Sequence, residues 1–344
     1  MTKNYVGWGH RMPDYQLMAP FPYFGGKRNG APAVWEALGD VGGYIEPFAG
    51  SAAVLLGRPP FEGQRVETIN DTDGWLVNAW RAIQHDPSGV AKIAFGPTSE
   101  VDYHARYAWL AERRTPDLIS WLEGDPEQYD TKAAGWWLYV MAIEFGDPFR
   151  GGPWHVEEGH LVRSKGTPNG IERRIPHVGG TGRGILRRQP ESYGETAVER
   201  VETYLKRLQE RMAHVRITVG DWKRIVTPTV WNLRTGPNSV GIFLDPPYKT
   251  GRQVYVGTNS KSIAQEVLDW CLTAPEHLRI VLAGYNDDND ELLKHGWTKE
   301  HSIGGQGSGF SDNPDNGRRE RLWFSPACLN NENTLFDLLE KDHG

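Results

Sequence analysis

Apolar and polar positions alternate along the chain in short units that predict a strand, a turn and then a helix. The stretch "GGYIEPFAGSAAVLL" (residues 42–56) predicts a short strand, a glycine-containing turn and a helix. The stretch "QRVETINDTDGWLVNAWRAIQ" (64–84) repeats this order with a second strand, turn and helix. Two such units in succession are typical of βαβ connections and therefore predict a parallel sheet.

This repeated order of strand, turn and helix is interrupted between about residue 86 and residue 214. The stretch "TKAAGWWLYVMAIEF" (131–145) predicts a core helix, and a glycine-rich basic segment covers residues 150–188. A further helix is predicted over 195–215, because one face carries an apolar stripe at helical spacing that comprises Val198, Val201, Leu205, Leu208 and Met212. We interpret residues 86–214 as an insertion.

The alternation of strands and helices resumes after the insertion. Strands are predicted in "VRITVGDW", "VGIFLDPPY", "LRIVLAGYN" and "RERLWFSP", and a helix in "SIAQEVLDWCLTA". The sequence thus predicts an α/β fold whose core is split into residues 15–85 and 215–328. The tail, residues 329–344, predicts an amphipathic helix packed on the core or, alternatively, a peptide that docks on a partner.

Composition limits the class of protein. The chain has 344 residues, 38% of them hydrophobic and 24% charged, which is typical of a globular protein. Its two cysteines, Cys271 and Cys328, predict neither a disulfide framework nor a cysteine-based zinc site. The first residues lack the apolar run of a signal peptide, and no stretch of about 18 apolar residues predicts a membrane span. We therefore expect a cytoplasmic protein.

Charge is distributed unevenly along the chain. The formal net charge is −6, so the whole molecule gives no indication of nucleic-acid binding. The segment 150–188, however, has eight basic residues against three acidic ones, a net +5. Basic and glycine-rich segments suit contact with phosphates and base edges, and the alternative is a solvated loop. The candidate DNA-binding residues are Arg163, Lys165, Arg173, Arg174, Arg183, Arg187 and Arg188.

The tetrapeptide "DPPY" (245–248) follows a strand that is apolar throughout. Asp245 is expected at the carboxyl end of that strand, where open α/β sheets bind ligands. Pro246 and Pro247 give a stiff backbone with carbonyl acceptors, and Tyr248 supplies a flat face. This combination suits a planar ring with an exocyclic amino group. The alternative is a strand that simply ends in a turn.

Two further turns carry candidate binding residues. In "EPFAGSAAV" (46–54), Gly50 lets backbone approach a ligand near a helix N-terminus, and Asp71 at the end of the next strand is placed to accept ribose hydroxyls. This pairing indicates an adenosine-type cofactor, although Asp71 or Asp73 could instead cap the helix that begins near Gly74. In "FPYFGGKR" (21–28), Lys27 follows two glycines and could bring a cation to a ligand, or the segment could be an ordinary loop.

Taken in chain order, "FPYFGGK", "EPFAGS", "NDTD..L" and "DPPY" resemble the D12 class, or Dam-like family, of adenine-specific DNA methyltransferases. The resemblance covers residues 20 to about 85 and about 215–325. It implies a Rossmann-like core that binds S-adenosylmethionine (AdoMet), with an inserted target-recognition domain at 86–214. The family usually has Gly at the position of Ala52, and often Asn at that of Asp73.

The resemblance also implies roles for individual residues. Asp245, Pro246, Pro247 and Tyr248 match the catalytic tetrapeptide of the family. The residues implied in cofactor binding are Tyr23, Lys27, Glu46, Pro47, Phe48, Gly50, Asp71, Asp221 and Asp245. The match at Asp221 is looser than the others.

The activity implied by the resemblance is transfer of a methyl group from AdoMet to the N6 amino group of an adenine flipped out of double-stranded DNA. N4-cytosine methylation and an RNA substrate stay open as alternatives, because the same acceptors serve any exocyclic amine. An inactive DNA-binding relative, or a module that uses AdoMet only structurally, is a further alternative. The chemistry requires no metal, and the histidines show no zinc-ligand spacing. We expect no membrane partner and infer no obligatory protein partner.

Overall fold

The computed structural model describes residues 17–21, 23, 27–60, 63–95, 99–125, 127–143, 154–157, 160–163, 197–232, 239–247, 260–301 and 319–329. Within these ranges the strands are β1 (Gly43–Glu46), β2 (Val66–Asp71), β3 (Trp154–Glu157), β4 (His160–Arg163), β5 (Val215–Val219), β6 (Val240–Leu244), β7 (Arg279–Tyr285), β8 (Thr298–His301) and β9 (Glu320–Phe324).

The same ranges contain the helices α1 (Ala31–Leu38), α2 (Ala53–Leu56), α3 (Gly74–His85), α4 (Pro87–Ala94), α5 (Glu100–Glu112), α6 (Pro116–Gly124), α7 (Thr131–Ile143), α8 (Ala197–Met212), α9 (Pro228–Trp231) and α10 (Ser260–Thr273). Short 3-10 helices cover Trp222–Arg224 and Asp290–His295. No helix of the described part of the chain has the length and apolar character needed to cross a membrane.

The protein is an α/β protein with a mixed seven-stranded sheet in the order β5-β2-β1-β6-β7-β9-β8. The first five strands of this order are parallel, as the strand–turn–helix pattern predicts. Strand β9 is antiparallel to both β7 and β8, so the sheet is not parallel throughout. Strands β2 and β5 lie on one side of β1, and β6 and β7 lie on the other. This reversal of order is compatible with a Rossmann-like fold, and in open α/β sheets ligands bind at the carboxyl ends of the strands where the order reverses.

Both faces of the sheet are covered around its central strand β6, which is apolar at every position. Strand β6, "VGIFL", is buried along its whole length. Its alternate residues enter different clusters: Phe243 packs in the one that contains α1 to α4, and Ile242 and Leu244 pack in the one that contains α10. A continuous apolar strand therefore needs helices on both sides, which fixes the layered arrangement.

Helices from the predicted insertion pack against the core helix α3. Both α7 and α8 lie against α3, and α4 lies between α7 and α8. In α8 four residues of the predicted stripe are buried, namely Val201, Leu205, Leu208 and Met212, whereas Val198 is half-buried. The four buried residues share one hydrophobic cluster with the sheet. The division into a core and a domain spanning 86–214 stays a prediction, and the tail beyond residue 329 lies outside the described residues.

Candidate functional site

The candidate site lies at the edge where the five parallel strands end. Glu46 ends β1, Asp71 ends β2, Asp245 follows β6 and Asp221 follows β5 by two residues. Because these strands are parallel neighbours, their carboxyl ends meet at one edge of the sheet. The fold thus brings the predicted acidic residues to the same edge.

In the turn after β1, the backbone lies in close contact with the aromatic ring of Tyr23. Gly50 has φ +48°, in the left-handed region that favours glycine. A Cβ atom at this position would lie 2.5 Å from Cε1 of Tyr23, so the Tyr23 ring packs directly on the turn. The close neighbour of Gly50 is thus the Tyr23 ring, and the approach of a ligand to this turn stays a prediction. Ala52 also has a left-handed backbone, with φ 49° and ψ 33°.

Asp71 and Asp73 have different structural roles. The two oxygens of Asp71 accept hydrogen bonds from the backbone N–H groups of Gly50 and Asp73, both at 2.9 Å, and the residue is buried. Asp73 accepts from the N–H of Trp75 at 3.0 Å and pairs with Arg114 at 2.8 Å. Asp73 is therefore the N-cap of α3, whereas Asp71 joins the Gly50 turn to the end of β2. Contact between Asp71 and a cofactor stays a prediction.

Asn70 is a positioning residue that the sequence analysis missed. Its side-chain amide donates to the carbonyl of Pro47 at 3.1 Å and to that of Gly220 at 2.9 Å. Its carbonyl oxygen accepts from the hydroxyl of Thr218 at 3.0 Å. The amide thereby joins the chain ends that leave β1 and β5. A polar residue inside an otherwise buried strand end was the available signal, because a buried amide requires partners.

The two ends of the sheet edge differ in chemistry. On the side of β5, Phe48 is half-buried and its ring centroid lies 5.8 Å from that of Trp222. Asp221 beside them is exposed, and one of its oxygens accepts from the N–H of Lys223 at 2.9 Å. This side therefore offers aromatic faces next to a carboxylate.

On the side of β7, a buried ammonium lies between two carboxylates. Nζ of Lys27 is 3.0 Å from Oδ2 of Asp245 and 3.5 Å from Oε1 of Glu320. Burial alone lowers the pKa of Lys27, but the charges of Asp245 and Glu320 outweigh it, so the pKa lies above its ordinary value. Lys27 is a permanent cation at neutral pH. Pro246 and Pro247 follow Asp245 and are buried.

Glu46 is buried, and its surroundings favour the neutral acid. Burial raises its pKa to about 8. Its Oε2 accepts from the hydroxyl of Tyr44 at 3.0 Å and from the N–H of Leu55 at 3.2 Å. The carboxyl group therefore links the end of β1 to the start of α2. Its predicted contact with a cofactor is untested.

Several predicted residues cannot be compared with the structure. Arg163 is the last residue of β4, in a hairpin with β3 that lies beside α5. The others lie outside the described residues, namely Tyr248, Lys165, Arg173, Arg174, Arg183, Arg187 and Arg188. Among the described side chains, His, Cys, Asp and Glu form no group of three or more that could hold a metal ion.

Comparison with protein-family models and with curated proteins found no match to this chain. The functional conclusion therefore depends on the residues and their geometry.

Proposed function

We propose that this protein is an AdoMet-dependent DNA methyltransferase that modifies the N6 amino group of adenine. The observation that carries the proposal is the contact between Lys27 and Asp245, with Nζ and Oδ2 3.0 Å apart. These residues belong to the "GGK" and "DPPY" motifs, which lie far apart in the sequence. Two motifs with a shared function are expected to converge on one site, and here they meet at the ligand-binding edge of the sheet.

The sheet supports this proposal over a nicotinamide-dependent enzyme. The order of its five parallel strands is that of a Rossmann-like sheet, and Asp245 follows β6 at the point where the strand order reverses. The sixth position is taken by the antiparallel strand β9, and the sequence lacks the G-x-G-x-x-G pattern of dinucleotide binding. We therefore assign the sheet to a methyltransferase core, with residues 86–214 as its target-recognition insertion.

The residues at the sheet edge fit a nucleoside cofactor. Gly50 lets the Tyr23 ring pack directly on the turn after β1, because any Cβ at this position would collide with that ring. Carboxylates at Asp71 and Asp221 suit hydroxyl and amino donors, and Phe48 offers a flat face. When bound, AdoMet supplies an electrophilic methyl group on a sulfonium. Asp71 is buried in this structure. Its contact with a ribose therefore requires neighbouring groups to move and expose an oxygen of its carboxylate.

Asp245 and Pro246 are assigned to the amino group of the target base. An exocyclic amine is a weak nucleophile because its lone pair is delocalised into the ring. The carboxylate of Asp245 and the carbonyl oxygen of Pro246 accept its two N–H bonds, which favours a pyramidal nitrogen with an available lone pair. Pro246 and Pro247 are buried, so this backbone is held in place before the base arrives. The contribution is positioning and electrostatic stabilisation, without a covalent enzyme intermediate.

The substrate is assigned as double-stranded DNA. An amino group inside a duplex cannot reach Asp245, so the base must leave the stack, and Tyr248 supplies the face on which it stacks. The basic segment 150–188 is assigned to the phosphates and base edges. It includes the hairpin β3–β4, which lies beside α5.

The test is transfer of a labelled methyl group from AdoMet to duplex DNA, followed by digestion to nucleosides. The proposal expects N6-methyladenine as the product. Recovery of N4-methylcytosine would mean that the same site modifies the exocyclic amino group of cytosine. Label recovered only in RNA, when RNA is offered as well, would overturn DNA as the substrate. No transfer of label to either nucleic acid would overturn the proposed enzymatic activity.

A further inference from the structure

Glu320 reaches the candidate site because of the direction of its strand. It is the first residue of β9, which is antiparallel to β7, and it lies opposite Tyr285 in the register. The start of β9 therefore lies at the same edge as the ends of the parallel strands. Oε1 of Glu320 is 3.5 Å from Nζ of Lys27, and the side chain is 20% exposed. No sequence motif marked this residue.

The cluster of Lys27, Asp245 and Glu320 has an excess of negative charge. One ammonium faces two carboxylates, which gives a net charge of −1 when all three are ionised. Lys27 has three N–H donors, so it can serve both carboxylates at once. The side chain of Lys27 is 5% exposed, which limits screening by solvent. The cluster thus holds a negative charge that Lys27 alone cannot neutralise.

Other titratable and charged groups face this cluster from neighbouring elements. Tyr285 lies on β7, and the guanidinium of Arg319 stacks over its ring at 5.0 Å. Burial and then the charge of Glu320 raise the pKa of Tyr285, so its hydroxyl is neutral at physiological pH. Glu46 at the end of β1 is largely protonated at that pH, because burial raises its pKa to about 8. The carboxylates that set the charge are therefore Asp245 and Glu320.

We propose that Glu320 is a positioning residue that shares the ammonium of Lys27 with Asp245, so that this one cation does not fully neutralise the Asp245 carboxylate. This inference rests on the proposed function and deepens it. The amino nitrogen of the target becomes cationic during methyl transfer, and a carboxylate beside it stabilises that charge. Without Glu320, the ammonium of Lys27 would neutralise Asp245 and remove much of this stabilisation. Glu320 acts through Lys27 and does not contact the reacting atoms.

The first test is the rate of methyl transfer by Glu320→Gln, which keeps the shape and removes the charge. We expect kcat to fall about 10- to 100-fold, with little change in KM for AdoMet or DNA, because the lost charge acts on the transition state. Glu320→Asp retains the charge and should recover part of the rate. The matched control is Glu300→Gln, on the adjacent strand β8 and outside the cluster.

The second readout is pH dependence. Burial raises the pKa of Glu320, the charge of Lys27 partly offsets this, and repulsion by Asp245 raises the pKa further. As pH falls through that raised pKa, wild-type Glu320 takes up a proton and becomes equivalent to glutamine. The ratio of wild-type to Glu320→Gln kcat should therefore fall towards one at low pH. A purely structural role predicts a ratio that is independent of pH and would overturn the inference.

The outcomes separate this inference from the proposed function. Calorimetry with AdoMet and S-adenosylhomocysteine, beside the transfer assay, establishes whether the wild type binds the cofactor and transfers a methyl. A wild type that does neither overturns the proposed function and the inference together. A wild type that does both, with Glu320→Gln equal to it in kcat, overturns the inference alone. If Glu320→Gln does not fold, the fall of kcat at low pH is compared between the wild type and Glu320→Asp. Identical pH profiles of kcat in that range count against the proposal.

Discussion

Two residues of the turn after β1 have left-handed backbone conformations, and only one of them is a glycine. Gly50 has φ +48°, and Ala52 has φ 49° with ψ 33°. Ala52 is fully buried at the start of α2. The left-handed conformation costs an L-residue roughly 1–2 kcal/mol. A glycine at this position would adopt the same conformation without that cost.

Ala52→Gly should therefore be tolerated unusually well. Relief of strain offsets the greater freedom of glycine in the unfolded chain, so we expect the free energy of unfolding to change by less than about 1 kcal/mol. The matched control is Ala79→Gly, equally buried within α3, which should cost about 1 kcal/mol or more. Urea unfolding measures both. Equal losses would contradict the left-handed conformation of Ala52.

Glu46 gives the protein a pH-dependent contribution to stability. Its pKa is raised by burial from 4.5 to about 8, so the folded state binds a proton that the unfolded state releases. The resulting stabilisation is fully present below pH 4.5, decreases as pH rises and is lost above about 8. We expect Glu46→Gln to gain stability relative to the wild type between about pH 5 and about pH 9. Urea unfolding across this range tests it, and parallel pH profiles would contradict it.

Single motifs of the site could be predicted from the sequence, but its contacts could not. Lys27 and Asp245 were both candidates, yet their pairing depends on how the N-terminal segment crosses the end of β6. Glu320 escaped notice because its strand was predicted without a direction. A first residue reaches this edge only when the strand is antiparallel, and that is a property of the whole sheet.

At the scale of elements, an ion cluster ties α8 to the sheet. Glu67 at the start of β2 pairs with Arg58 at 3.0 Å and with Arg211 of α8 at 2.7 Å. Arg211 also donates to the carbonyl of Leu55 at 3.0 Å. Burial raises the pKa of Glu67, but the arginines outweigh it, so the pKa lies below its ordinary value. The stabilisation is therefore present above the unfolded pKa and is lost as pH falls through the lowered folded pKa.

Glu67→Gln should destabilise the protein strongly at neutral pH. The substitution removes the buried carboxylate that Arg58 and Arg211 share, and breaking a buried ion pair typically costs about 3–5 kcal/mol. The control is Glu112→Gln, whose pair with Arg113 is exposed and should contribute nothing measurable. Urea unfolding of both variants at neutral pH provides the comparison. A loss at Glu67 as small as the control's would mean that α8 is held by packing alone.

Elements with continuous apolar runs were predictable, and those marked mainly by polar signals were not. Strands β1, β2, β5, β6, β7 and β9 are confirmed, because each contains β-branched, aromatic or other apolar residues that are typical of strands. The edge strand β8, "TKEH", has no such pattern. Helices α4 and α6 begin with Pro87 and Pro116, which the sequence analysis did not use as starts of helices. Their short lengths left little apolar periodicity to detect.

At the scale of the molecule, the proposed DNA-binding segment is basic although the whole chain is acidic. The chain has net charge −6, and the segment 150–188 has net +5. We predict the effect of changing four residues of this segment to Ala, namely Arg173, Arg174, Arg187 and Arg188. The slope of log DNA affinity against log salt concentration should become shallower by about 0.7–0.9 for each phosphate contact that is lost. Lys294→Ala, an exposed change elsewhere in the sequence, should leave the slope unchanged. An unchanged slope in the fourfold variant would assign DNA contact to another surface.

The central claim is that the target amino group is held by Asp245 at the end of β6. The most direct measurement is single-turnover transfer of labelled methyl to duplex DNA by wild type, Asp245→Asn and Asp269→Asn. Asp269 is an exposed carboxylate of α10, so its variant should match the wild type. We expect Asp245→Asn to transfer at least about 100-fold more slowly, because it loses a preorganised charge beside the nitrogen that becomes cationic. Transfer by Asp245→Asn at the rate of the Asp269→Asn control would contradict the account.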